Sequence, residues 1–297
     1  MKCCQMVMGP AGVGKSTYCR VLQEHAANSN RTIHVVNLDP AAEAFEYDVA
    51  FDIRDLITLT DAMEELDLGP NGGLVYCMEY LLDNIDWLKN ELDNYDEDEY
   101  IIFDCPGQVE LYSHIPVMKN VLEQLKMWDF NVCGVYALDA TFMGDLAKFI
   151  SGTLLSLSAM VQLELPHINV LTKCDLADME EVESFLDMDN LSLAASMQGK
   201  IQGRIGLYSR EINLENGNKN RKTSNLPKLE RLTNVIAEVI DEFSMVGFIP
   251  LNINDEESIG LIMQHADYIT QYGENIEPKQ PADEYMDEEI DAPYNLG

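Results

Sequence analysis

The residues Gly9-Pro10-Ala11-Gly12-Val13-Gly14-Lys15-Ser16, with Thr17 directly after them, fit the spacing GxxxxGK[ST]. Its chemistry is that of phosphate. Glycines at this spacing let backbone N–H groups turn inward around a β-phosphate, and the helix that opens behind them adds positive potential. A lysine at position 15 reaches the β- and γ-phosphates, and the Ser16 hydroxyl is a ligand for Mg²⁺. Three acids stand just past apolar runs, at Asp39, Asp104 and Asp175. In Ile101-Ile102-Phe103-Asp104-Cys105-Pro106-Gly107-Gln108, Asp104 is placed to hold the magnesium shell. Gly107 lets a backbone N–H approach the γ-phosphate, and the Gln108 amide can orient an attacking water. Asp39, in Asn37-Leu38-Asp39-Pro40, suits magnesium-bound water or the proton of the attacking water. A plain turn or cap before Pro40 is the alternative reading. In Thr172-Lys173-Cys174-Asp175, Asp175 can accept from guanine N1–H and the 2-amino group while the Lys173 stem covers the base.

These groups must be brought to one place by the elements that carry them. Short apolar runs, Cys3–Met8, Thr32–Leu38, Tyr100–Phe103, Val132–Leu138, His167–Leu171 and Gly247–Ile253, read as strands covered on both faces. Helical patterns alternate with them over Lys15–Ala27, Leu74–Leu92, Leu111–Met127, Gly144–Leu163, Leu226–Phe243 and Ser258–Tyr272. That alternation predicts a mainly parallel α/β sheet flanked by helices, with all strand C-termini on one edge, so the P-loop, Asp39 and Asp104 converge there. Three segments interrupt it. Asp52–Leu66 is helix-forming and runs into Leu68-Gly69-Pro70-Asn71-Gly72-Gly73, whose proline and glycines predict an exposed turn. Residues 175–225 are polar and irregular, with a mobile tip over 215–225. From Glu274 the chain has eight acidic residues against Lys279 alone and reads as a disordered tail.

Composition sets outer bounds. A formal charge of −33 over 297 residues excludes a broad nucleic-acid footprint, so an anionic ligand has to be held locally. The N-terminus lacks a signal-peptide pattern and no apolar run reaches membrane-spanning length, which predicts a soluble intracellular protein with no membrane partner. The seven cysteines form no CxxC pair and the five histidines are scattered, so the thiols read as buried and reduced rather than as zinc ligands. Only seven arginines occur, and of these Arg20 alone lies near the P-loop. That argues against a kinase with an arginine-rich lid, and it requires something else to complete a hydrolytic site.

Together with Gly69-Pro70-Asn71, the four motifs resemble the GPN-loop GTPases, a SIMIBI-type branch of the dimeric P-loop NTPases. The resemblance spans roughly residues 3–272. It implies a GTPase domain over 1–273, with the Gly-Pro-Asn loop at about 67–74 and a helical and loop insertion at about 176–225, followed by the 274–297 tail. It implies GTP or GDP and Mg²⁺ as ligands. Gly12, Val13, Gly14, Lys15, Ser16 and Thr17 would hold phosphate and metal, Asp104 and Asp39 magnesium, and Asp39 and Gln108 the water. Asn71 would reach the γ-phosphate of the other subunit, and Thr172, Lys173 and Asp175 would meet the base. Thr172 stands where the family's NKxD motif has Asn, and the last base loop falls at Asn254-Asp255-Glu256. The resemblance further implies a homodimer or a heterodimer with the paralogue GPN-loop GTPase 1. It implies a role in assembling RNA polymerase II and importing it into the nucleus, from a cytoplasmic protein that shuttles. A nucleotide-binding scaffold with little hydrolysis of its own is the alternative.

Overall fold

The computed structural model describes residues 2–96, 99–186 and 247–274. Within them, β1 (Lys2–Met8), β2 (Ile33–Asn37), β3 (Val49–Asp52), β4 (Tyr100–Asp104), β5 (Phe130–Asp139), β6 (His167–Thr172) and β7 (Phe248–Pro250) form one sheet in the order β3-β2-β4-β1-β5-β6-β7. Every pairing is parallel. β1 lies between β4 and β5, so the chain segment leaving its C-terminal end opens at the sheet's switch point, where α/β sheets bind ligands.

The strands read as unbroken apolar runs because both faces are covered. On one face, Met6, Met8, Phe103 and Tyr136 pack with α3 (Pro70–Asp83), α4 (Ile85–Leu92), α6 (Val117–Met127) and α7 (Leu146–Leu163). On the other, Val7, Val35, Tyr100 and Ile102 pack with α1 (Lys15–Asn28) and α9 (Glu256–Thr270). Gln5 is the buried polar exception within β1. It is fully buried, accepts from the Tyr18 hydroxyl at 2.7 Å and donates to the Tyr100 hydroxyl at 3.0 Å, which removes the cost of burying an amide. All seven cysteines are buried and unpaired. No helix among the described residues is long and apolar enough to cross a membrane.

Several local expectations change. The segment expected to be helical from Asp52 instead gives strand β3 through Asp52, a 3-10 turn at Ile53–Asp55, and α2 (Leu59–Leu66) capped by Thr58, whose hydroxyl accepts from the Asp61 N–H. Four residues at a sheet edge are too few to show a period. Gly69-Pro70-Asn71 is not a loop: Gly69 caps α3 and Pro70 opens it, since proline at a first helical position forfeits only an N–H that had no partner there. The apolar stripe over 74–92 breaks at Asn84, which ends α3 and starts α4. Pro116 similarly divides 111–127 into α5 (Glu110–Ser113) and α6. The polar stretch after 175 holds α8 (Met179–Leu186). The expected 215–225 tip, the 226–243 helix and all but the first residue of the acidic tail lie outside the described residues.

Besides its apolar packing, α9 is tied to the body of the fold by a cation. Arg31, just past α1, donates to both carboxylate oxygens of Asp267 at 2.6 and 2.7 Å, and its guanidinium lies 4.6 Å from the Tyr100 ring and 3.9 Å from the Tyr272 ring. Arg31→Ala removes the ion pair and both ring contacts and strands a half-buried carboxylate. It should lower stability by about 2–3 kcal/mol in urea unfolding, whereas Arg31→Lys should recover only part of that loss.

Candidate active site

β1 runs out at Met8, and the backbone then turns through three residues at positive φ: Gly9 (140°), Gly12 (77°) and Gly14 (94°). At Gly9 a Cβ would stand 2.5 Å from the Ala137 carbonyl oxygen, so only glycine lets the loop leave β1 this close to β5. Gly14 caps α1 without a side-chain hydrogen bond, and no acid occupies the first turn. The leading N–H groups are therefore left for an anion. Lys15 is buried to 7% exposure, with its Nζ on the carbonyls of Gly9 (3.2 Å) and Pro10 (3.3 Å).

The expected convergence on this loop is present. Ser16 Oγ donates to Asp104 Oδ2 at 2.7 Å, and the buried Tyr47 hydroxyl donates to the same oxygen at 3.0 Å. Burial pushes the Asp104 carboxyl above the usual carboxylate range; the Ser16 and Tyr47 bonds and the Lys15 charge offset that only partly, and the Asp39 charge adds to it. A hydroxyl and a carboxylate this close are hard oxygen donors of the kind magnesium takes, and a cation would relieve the buried negative charge. The residues present fit that metal.

Asp39 makes the turn that its alternative reading describes. Its Oδ1 accepts from the Ala41 N–H at 2.9 Å, closing a turn, while its own N–H bonds to Asn37 Oδ1 at 3.0 Å. Asn37 Nδ2 reaches Asp52 Oδ1 at 2.8 Å, and Arg54 holds Asp52 Oδ2 from Nη2 at 2.6 Å while donating from Nη1 to the Ala42 carbonyl at 2.8 Å. The Asp39 segment is thus braced from β3. Gly107 lies against the P-loop, since a Cβ there would be 2.8 Å from Ala11 Cα and 3.0 Å from its nitrogen. Next to it, Gln108 Oε1 is buried with no hydrogen-bond partner among the described residues.

The base-side strand is tied to the phosphate loop. Thr172 Oγ1 lies 2.6 Å from the Val13 carbonyl oxygen and 3.0 Å from that of Leu138, so a threonine supplies the link to the P-loop in the place of the motif's Asn. Lys173, at φ 59°, donates to the Gly12 carbonyl at 2.7 Å and to Asp139 Oδ2 at 2.6 Å. Burial works against ionisation of Asp139, but the Lys173 and Thr141 bonds outweigh it and hold the carboxyl below its ordinary range. Asp175 follows, half-buried, in a 3-10 turn. Beyond β7, Asp255 caps α9 by accepting from the Glu257 N–H at 3.1 Å.

Asn71, expected to act on the nucleotide of another subunit, stands away from this cluster. It sits exposed in the first turn of α3, and no hydrogen bond among the described residues joins it to the P-loop. Its neighbour Gly73 has a packing reason: a Cβ there would be 2.9 Å from Leu59 Cδ1 and 3.0 Å from Met63 Cγ, so glycine lets α3 press on α2. Sequence reasoning missed Tyr47, Asn37, Arg54 and Asp139. Only Asp139 had a legible signal, an acid ending an apolar run as Asp104 does.

A sequence family described as "Conserved hypothetical ATP binding protein" matches residues 7–272. A relative from Dictyostelium discoideum named GPN-loop GTPase 3 is 48% identical, over 93% of this chain and 90% of its own length. The protein of that name from Saccharomyces cerevisiae is 46% identical over 96% and 98%. Among solved structures, a GTPase in apo form from Pyrococcus abyssi superposes with a TM-score of 0.66 at 20% identity, covering 90% of this chain and 97% of that one, which shows a shared fold.

An acid whose pKa is raised on folding weakens the fold at pH values above that raised pKa and stops doing so as pH falls through it. In metal-free buffer near neutral pH, Asp104→Asn should therefore be more stable than the wild type, by about 1 kcal/mol. The gap should close as the pH is lowered and the wild-type carboxyl takes up a proton, which calorimetric scans from neutral to acidic pH would check.

Proposed function

The chain belongs to the GPN-loop GTPase family, and from that premise we propose that it binds GTP with Mg²⁺ and hydrolyses it to GDP and phosphate as a dimeric switch. The observation that carries the reading is the bonding of the base-side turn to the phosphate loop, through Thr172 on Val13 and Lys173 on Gly12, directly beside the Ser16–Asp104 pair. Lys15 and the open N–H groups of α1 hold the β- and γ-phosphates. Ser16 and Asp104 would hold the metal, which when bound would supply positive charge against the phosphates. Gln108, whose amide oxygen lacks a protein partner, orients the attacking water; Asp39 accepts its proton or holds metal-bound water. Asp175 selects guanine by accepting from N1–H and the 2-amino group. Although the matched family's description speaks of ATP, adenine presents no such donor pair to this carboxylate.

The exposed position of Asn71, on a helix apart from its own P-loop, supports a role across an interface, where its amide meets the γ-phosphate bound by a second subunit. That subunit is a second copy of this chain or the paralogue GPN-loop GTPase 1. With that partner we place the protein in RNA polymerase II assembly and nuclear import, cytoplasmic and shuttling, with no direct nucleic-acid or membrane contact. The charge of −33 supports a protein client rather than a nucleic acid.

Competition titrations should show GTP displacing a bound fluorescent GDP analogue far better than ATP does. Asp175→Asn should cost about 2–4 kcal/mol in GTP affinity while improving binding of xanthosine triphosphate. Equal ATP and GTP affinity in the wild type would remove the base assignment. Mixed dimers test the interface. Asn71→Ala should lower turnover with the melting temperature almost unchanged. Pairing that subunit with a Lys15→Ala subunit should restore one working site, because the second subunit's Asn71 completes the first one's intact P-loop. Inactive mixed dimers beside an active control carrying one wild-type subunit would show that Asn71 acts within its own chain or not at all.

A further inference from the structure

The stretch between β2 and β3 is fastened at several points other than Tyr47. Arg20 Nε lies 3.3 Å from Glu46 Oε2; Gln23 exchanges two hydrogen bonds with the backbone of Asp48, at 2.9 and 3.0 Å; and the Arg54 guanidinium lies 4.6 Å from the Phe45 ring. Between these anchors Tyr47 turns inward to 7% exposure beside Tyr18 and Cys19, and its hydroxyl ends on Asp104 Oδ2. Packing alone would be met by phenylalanine. The hydroxyl adds one thing, a second donor on the oxygen that Ser16 already holds. Two donors on one carboxylate oxygen fix the rotation of the group and so the direction of its other oxygen. A metal-binding acid needs that restraint when it is itself buried and short of countercharge.

We propose that Tyr47 is a positioning residue for magnesium: it orients the Asp104 carboxylate and thereby fastens the 40–48 segment to the metal site. The inference rests on the magnesium-dependent GTP binding proposed above. Its consequence is selective. Loss of the hydroxyl weakens the hold of Mg²⁺ on the bound nucleotide while nucleotide binding without metal stays as it was, because neither the P-loop nor the base turn bonds to Tyr47 among the described residues.

The test follows release of a fluorescent GDP analogue from the full-length protein, in excess EDTA and over a magnesium titration. With Tyr47→Phe, release in EDTA should stay within about twofold of wild type, whereas release at saturating Mg²⁺ should accelerate about fivefold to tenfold and half-saturation should move to higher Mg²⁺. An equal acceleration with and without metal would mean a structural role only and would overturn the proposal, as would no change in either condition. A second background guards against a general loss of folding: in Asp104→Asn, adding Tyr47→Phe should change nothing further, and an additional acceleration there would also overturn it. If Mg²⁺ fails to slow release from the wild type, the magnesium reading falls and takes this inference with it; a normal wild-type response left intact in Tyr47→Phe removes this inference alone.

Discussion

A loop that turns its N–H groups inward around a phosphate must turn its carbonyls outward, and each carbonyl then needs a donor from somewhere else. The rest of the site is arranged around this need. Lys15 serves the carbonyls of Gly9 and Pro10, Lys173 that of Gly12, Thr172 that of Val13, and the Tyr18 N–H that of Gly14. Two of these donors belong to β6 and the turn beyond it, so the segment proposed to read the base also holds the phosphate loop in shape. The substitution of threonine for the motif's asparagine becomes intelligible in the same terms. What the loop requires from that position is a donor within reach of Val13, and a hydroxyl at 2.6 Å supplies it.

The parallel sheet brings a second difficulty, because it gathers the acids that end its strands along one edge of an already acidic chain. Asp52 is met by Arg54 and Asn37, and Asp139 by Lys173 and Thr141, so both keep their charge despite burial. Asp39 turns one oxygen to the backbone of its own turn. Asp104 differs from these three in that hydroxyls, rather than a basic group or a backbone N–H, are the donors that reach it, and burial shifts its carboxyl upward. Asp104 thus has no basic side chain hydrogen-bonded to it among the described residues, and it faces the Ser16 hydroxyl at the start of α1.

Much of this was legible before any coordinates, for a specific reason. The P-loop, Asp104, Gly107, Gln108, Lys173 and Asp175 are encoded by short spacings next to apolar runs, and in a parallel sheet a residue just past a strand is necessarily at the ligand edge. Tyr47 and Arg54 depend instead on how the 40–48 segment folds back, which no local spacing expresses. β3 shows no period because it has only four residues, three of them apolar, and their partner, β2, is supplied by the fold. The composition of Gly69–Gly73 is misleading. Proline and glycine are turn formers by type, whereas here they open a helix and admit a neighbouring one at close range.

That last feature has a thermodynamic side. A side chain presented on a loop has to surrender backbone freedom when something takes hold of it, at roughly 1–2 kcal/mol per residue ordered. Asn71 stands in the first turn of a fourteen-residue helix that is wedged against α2 at Gly73, so its backbone freedom is already spent on folding. Whatever grasps this amide meets a rigid projection and forfeits little on association beyond rotation of a single side chain. Any displacement of the grasped residue must be transmitted to the α2–α3 pair as a body, since the helix offers no joint between its exposed tip and its buried flank.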